Sequence, residues 1–121
     1  MLERVRALLV ARVPAGYDVT DKRTQYWMDE DSAAYCDIAV SGGGHEFALV
    51  VCAGYADDTR RNEFFARVWL HYAKEIWIVD EEARRVWRAT TERRELVEMT
   101  DQLVPVAITG VRINVGELSR T

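Results

Sequence analysis

Residues 47–80 read FALVVCAGYADDTRRNEFFARVWLHYAKEIWIVD, and their order decides the fold. The apolar run Phe47–Ala53 does not alternate, which predicts a strand buried on both faces. Asp57, Asp58 and Thr59 follow as N-cap residues, and the negative charge of the two aspartates complements a helix dipole. Phe64, Phe65, Val68, Trp69 and Tyr72 then recur at helical spacing. This predicts an amphipathic helix whose aromatic stripe packs on the sheet, with Arg60, Arg61, Glu63, Arg67, His71 and Lys74 mostly on the other side. A second apolar run, Ile76–Val79, ends at Asp80. Strand, crossover helix and strand imply two parallel neighbours in one sheet.

Working outward, residues 34–41 and 45–53 flank Gly42-Gly43-Gly44, a hairpin signal because glycine tolerates the positive φ of tight turns. An even-length loop puts Cys36, Ile38, Val40, Phe47, Leu49 and Val51 on one wholly apolar face. It also sets Asp37 and Cys52 on the other face, roughly 5–8 Å apart at Cβ. Leu2, Val5, Leu8, Leu9 and Val13 predict an N-terminal helix that Pro14 and Gly16 end. Tyr17–Met28 reads as extended, interrupted at Asp21-Lys22 and followed by a polar break at Asp29–Ser32. Beyond Asp80, residues 84–91 and 95–100 alternate as an edge meander. Short apolar segments at 104–108 and 111–115 lead to a last turn at Glu117-Leu118. The expectation is one domain over 1–121, a mixed sheet with helices packed on it.

The chain has 121 residues, 49% apolar, enough for one core of ordinary size. No apolar run approaches the ~20 residues that span a bilayer. The N-terminus carries its charges inside its apolar run, unlike a secretory signal, and implies a cytoplasmic protein. The net charge of −4 argues against tight non-specific nucleic-acid binding, although it permits a local basic patch. Cys36 and Cys52 are too few for a disulfide scaffold. The sequence has no CxxC, HExxH, Gly-rich phosphate loop or GxSxG.

The segment TRRNEFFARVWLHYAKEIWIVDEEARRVWR resembles the C-terminal half of the Uma-type restriction-endonuclease family of bacteria, within the PD-(D/E)XK nuclease superfamily. The resemblance rests on the strand Glu75–Asp80, the preceding helix and the hairpin Glu81–Arg88. Cys36–Val40 matches the family's Pro-Asp strand, and GVRINVGEL its closing strand and helix, so it extends over about residues 33–118. It implies an α/β, restriction-endonuclease-like mixed sheet core flanked by helices, shortened at the N-terminus relative to the family. It also implies metal-dependent phosphodiester cleavage, in which two carboxylates hold Mg²⁺ and a lysine orients the attacking water.

Carried over residue by residue, Asp37 matches the first carboxylate and would be the metal ligand of an active protein. Cys52 stands where the second carboxylate belongs and Phe64 where the lysine falls. A thiolate is a poor Mg²⁺ ligand, and phenylalanine cannot orient water. The resemblance therefore implies a pseudoenzyme that needs no cofactor and binds DNA, RNA, another protein or a second copy of itself. Arg60, Arg61 and Arg67 on the helix, with Arg84, Arg85 and Arg88 on the hairpin, are the expected phosphate contacts. The alternative is an active Mg²⁺-dependent DNA endonuclease with a rearranged site, using Asp37 with Glu46, Asp57 or Asp58. Cys52 as a nucleophile would need a nearby base, and no spacing places His45 or His71 against it, so it reads as a small buried hydrophobe.

Overall fold

The computed structural model describes residues 1–20, 24–27 and 33–118. The Asp21-Lys22 interruption and the Asp29–Ser32 break lie outside them. In chain order the elements are α1 (Leu2–Arg12), β1 (Asp18–Val19), β2 (Thr24–Trp27), β3 (Ala33–Cys36), β4 (Ile38–Gly42) and β5 (His45–Ala53). There follow α2 (Thr59–Leu70), β6 (Ala73–Asp80), β7 (Arg85–Thr90), β8 (Val97–Met99), β9 (Gln102–Leu103), β10 (Ile113–Asn114) and α3 (Val115–Leu118). Asp58 caps α2, its carboxylate accepting the Arg61 N–H at 3.1 Å.

β5 and β6 lie side by side in parallel, with Leu49 opposite Glu75 and Cys52 opposite Ile78, and α2 crosses between them. The remaining pairings are antiparallel and give the sheet order β1-β4-β5-β6-β7-β8. β2-β3 and β9-β10 form two small ribbons. One face of the sheet packs Ile38, Val40, Leu49, Val51 and Trp77 against Val5, Leu8 and Leu9 of α1. The other packs Val50, Cys52, Ile76 and Ile78 against Ala66, Trp69 and Leu70 of α2. Burial on both faces is the reason the central runs are apolar without alternation.

Three residues depart from the expected parity, one of them Ala48, which packs on the α1 face beside Leu49. Cys36 and Phe47 pack on the α2 face rather than with Ile38, Val40, Leu49 and Val51. The β4–β5 register shifts between Val40 and Gly42, which turns Phe47 over. The chain also bends at Asp37, so that β3 leaves the main sheet and pairs with β2. Phe47 thereby meets Trp69 and Tyr26 edge to face, with ring centroids 5.3 and 4.8 Å apart.

Glu75 is fully buried in β6. Its Oε1 accepts the Val106 and Ala107 N–H groups at 2.7 and 3.0 Å, and its Oε2 accepts the Trp77 Nε1–H at 2.8 Å. At the C-terminal end, Glu117 joins α3 to α1 through Arg12, with Oε1 to Nη2 at 2.8 Å and Oε2 to Nη1 at 3.0 Å. Arg12, and then the Asn114 N–H, hold the Glu117 carboxyl down at about 2, against an ordinary value of 4.5. The folded chain thus binds this proton more weakly than the unfolded chain. Glu117 stabilises the fold above pH 4.5, and the contribution is lost as pH falls toward 2. Glu117→Gln is expected to melt earlier than the native chain at neutral pH, with the difference closing over that acid window in thermal melts. Among the described residues no helix is long and apolar enough to cross a membrane.

Candidate functional site

The bend between β3 and β4 makes the site. Asp37 sits at it, half-buried and held by its backbone from two sides. Its N–H donates to Val51 O at 2.9 Å, and its carbonyl accepts Arg6 Nη2 from α1 at 2.6 Å. Its Oδ2 accepts the Ala53 N–H at 2.8 Å. Carrying the Ile38–Val51 register one residue further sets Asp37 opposite Cys52, as the parity of the loop predicts. Cys52 is buried, and its thiol donates to the Tyr35 carbonyl at 3.6 Å.

Asp37 and Cys52 line a cleft of about 360 Å³ together with Tyr35, Tyr55, Arg61 and Phe65. Tyr35 is anchored from below, where its carbonyl also accepts Trp69 Nε1–H at 3.1 Å. Tyr55 is anchored by Asn62, a buried residue of α2. The Asn62 Oδ1 accepts the Tyr55 N–H at 3.1 Å, and its Nδ2 donates to the Tyr55 carbonyl at 2.7 Å, as a neighbouring strand would. Gly54 lets the helix come this close, because a Cβ there would lie 2.6 Å from Asn62 Oδ1 and closer still to Ile78 Cγ2. Arg61 spans two rings, its guanidinium carbon 5.1 Å from the Tyr55 centroid and 5.4 Å from that of Phe65.

The donor set in this cleft does not suit a hard divalent cation. Magnesium takes octahedral oxygen ligation, and Asp37 has a thiol and a guanidinium beside it rather than a second carboxylate. Among the described residues no group of three or more His, Cys, Asp and Glu side chains is arranged to hold a metal ion. Asp80, at the end of β6, is committed to backbone. Its Oδ1 accepts the Ala83 N–H at 3.0 Å and its Oδ2 the Ala56 N–H at 2.6 Å, and these bonds hold its carboxyl below the usual range. Glu46 is exposed near the hairpin end of β5, away from Cys52, and Asp58 is the helix cap. Asp57 is exposed and does not line the cleft. None of the three therefore joins Asp37. Burial, and then the Asp37 charge, push the neighbouring Cys36 thiol up to about 12, so it stays protonated and unreactive at neutral pH.

The expectation for the helix needs a correction. Phe64 is 56% exposed and Tyr72 47% exposed, so neither belongs to the core stripe, and Phe64 does not face Asp37. The buried side of α2 is Asn62, Ala66, Trp69 and Leu70, one step round from the aromatic count. Arg61 and Phe65 are the α2 residues in the cleft. Arg60 and Arg67 are exposed two turns apart with Phe64 between them on the same stripe. Among the described residues, Arg60, Arg61 and Arg67 form no salt bridge, whereas Arg85 is joined bidentately to Glu98 at 2.7 and 2.9 Å. Arg88 donates to the Val104 carbonyl at 2.9 Å, and Arg84 is exposed with φ of 55° in the β6–β7 turn. The hairpin arginines Arg85 and Arg88 are thus engaged within the fold, whereas Arg60 and Arg67 of α2 are exposed and Arg61 lies over the cleft rings. Tyr35, Tyr55 and Asn62 escaped sequence reasoning. The Arg61–Phe65 spacing of four residues was the available signal for the cleft side of the helix.

No protein-family model matches the chain, and no curated protein matches it. Among solved structures it is similar to that of a candidate nuclease belonging to DUF820 from Anabaena variabilis. The identity is 14%, the TM-score is 0.62, and the match covers 97% of this chain and 74% of the other. The fold is therefore the α/β, nuclease-like one: a restriction-endonuclease-like mixed sheet flanked by helices.

Proposed function

We propose that this chain is a nuclease-like domain of the Uma-type group that binds nucleic acid without cutting it. One observation carries the reading. The cleft at the bend between β3 and β4 sets the carboxylate of Asp37 beside Cys52 and Arg61, with no second carboxylate among the described residues that line it. Hydrolysis on this scaffold would need metal ligation that these groups do not supply. Arginine cannot take over proton transfer from lysine, since it stays charged at any ordinary pH. It does contact phosphate well. Arg60, Arg61 and Arg67, in no salt bridge among the described residues and exposed on α2, serve as the phosphate contacts. The domain works in the cytoplasm and needs no cofactor.

Fluorescence anisotropy with labelled DNA, titrated across salt concentration, tests the reading. Binding is expected to weaken steeply with salt. Changing Arg60, Arg61 and Arg67 together to alanine should lower the slope of log K against log salt by about 2–3, since each phosphate contact contributes about 1. Absence of binding at low salt, or an unchanged slope in the triple variant, would reject it. Pull-down and solution mass would then turn to a protein partner or a second copy of the chain.

A further inference from the structure

Resting on the nucleic-acid reading above, we infer that the cleft between the β3–β4 bend, the end of β5 and α2 receives an unpaired base of a single strand. Aromatic side chains line the cleft. Tyr35 and Tyr55 are 44% and 48% exposed, although each has its backbone fixed by a buried side chain, Trp69 and Asn62 respectively. Exposed aromatic rings on fixed backbone offer stacking surface at little cost in chain entropy. Arg61 lies across the Tyr55 and Phe65 rings, so a planar guanidinium extends the same surface and brings a positive charge to the rim.

The floor is polar in a way that selects against phosphate. Asp37 spends Oδ2 on the Ala53 N–H, and its Oδ1 has no hydrogen-bond partner among the described residues. A phosphate driven to the floor would meet that carboxylate, whereas the exocyclic amine of an adenine or cytosine would donate to it. The cleft volume of about 360 Å³ is at the lower end of the range for small-molecule pockets, which suits one planar ring and not a folded ligand. A paired base in a duplex presents only its edge and cannot enter. The backbone on either side of the extruded base then runs over the exposed face of α2, where Arg60 and Arg67 flank Phe64.

The test compares a single-stranded oligonucleotide bearing a central 2-aminopurine with the same strand in a blunt duplex, using native protein, Tyr55→Ala and Tyr55→Phe. The Tyr55–Asn62 bonds use the Tyr55 backbone alone, so both variants retain them. The native protein is expected to bind the single strand about tenfold or more tighter than the duplex, the range of one stacked base, and to change the 2-aminopurine fluorescence. Tyr55→Ala should remove that preference and the fluorescence change by weakening single-strand binding about tenfold more than duplex binding, and Tyr55→Phe should keep both. Equal binding of strand and duplex, unaffected by Tyr55→Ala, overturns the base pocket and leaves the phosphate-binding reading standing. Binding of neither at low salt overturns both.

Discussion

Trp69→Ala is expected to cost about 4 kcal/mol of folding stability, because a fully buried indole is replaced by a cavity. Trp69 is the pivot of the α2 face. Its ring packs edge to face with Phe47 at 5.3 Å and Tyr26 at 5.8 Å between centroids. Its Nε1–H is bonded to Tyr35 O, so truncation also removes the donor that fixes one wall of the cleft. The helix sits on the sheet through few buried side chains, namely Asn62, Ala66, Trp69 and Leu70, and collapse around the missing ring is therefore limited. For a chain of this size the loss corresponds to a fall in Tm of about 15 °C. Thermal and urea denaturation measure it. Trp69→Phe, which keeps an aromatic ring and loses the N–H bond, should cost no more than about half as much.

Glu75→Ala is expected to cost on the order of 3 kcal/mol, by a different route. It leaves the Trp77 Nε1–H, the Val106 N–H and the Ala107 N–H without their acceptor and opens a void in the α1 face. Removing a buried carboxylate also relieves its desolvation, which keeps the loss below the simple sum of three hydrogen bonds. Glu75→Gln retains Oε1 for the two loop donors but turns an NH₂ toward the indole N–H, so it should fall between native and alanine. The pH dependence has a distinct sign. Burial raises the Glu75 carboxyl above its ordinary value of 4.5, against the lowering by Ala107, Trp77 and Val106 N–H and the Arg88 charge. The folded chain therefore holds this proton more tightly than the unfolded one. The contribution of Glu75 is complete below pH 4.5 and declines as pH rises through the raised value, opposite to Glu117. Denaturation of native and Glu75→Gln protein at a series of pH values reads that decline as a difference that changes with pH.

The parallel pair and its crossover helix were legible because burial on both faces leaves an unmistakable mark: Phe47–Ala53 and Ile76–Val79 admit no other easy reading. The placement of Asp37 against Cys52 followed from loop parity alone. The errors came where the backbone departs from strict periodicity. The shift between Val40 and Gly42 and the bend at Asp37 moved Phe47 and Cys36 to the other face, and composition carries no signature of a shift of that kind. On α2 the two adjacent phenylalanines drew the aromatic count to a stripe one step away from the buried one. The side set on the sheet contains Asn62, a polar residue whose worth lies in bonding to Tyr55 and cannot be weighed by hydrophobic periodicity. Glu75 was hidden in the same way, since its donors come from Trp77 and from residues 106 and 107, far along the chain. The cleft aromatics are drawn from β3, the turn after β5 and α2, and only the folded chain assembles them.

The proposed function is binding of nucleic acid without cleavage. The most direct measurement incubates purified protein with supercoiled plasmid and with single-stranded DNA in Mg²⁺, in Mn²⁺ and in EDTA, reading cleavage on gels and binding by anisotropy in the same buffers. The expected result is intact DNA under all three conditions, with EDTA leaving affinity unchanged once ionic strength is matched. Metal-dependent cleavage that disappears in Asp37→Ala would contradict it and return Asp37 to a catalytic role.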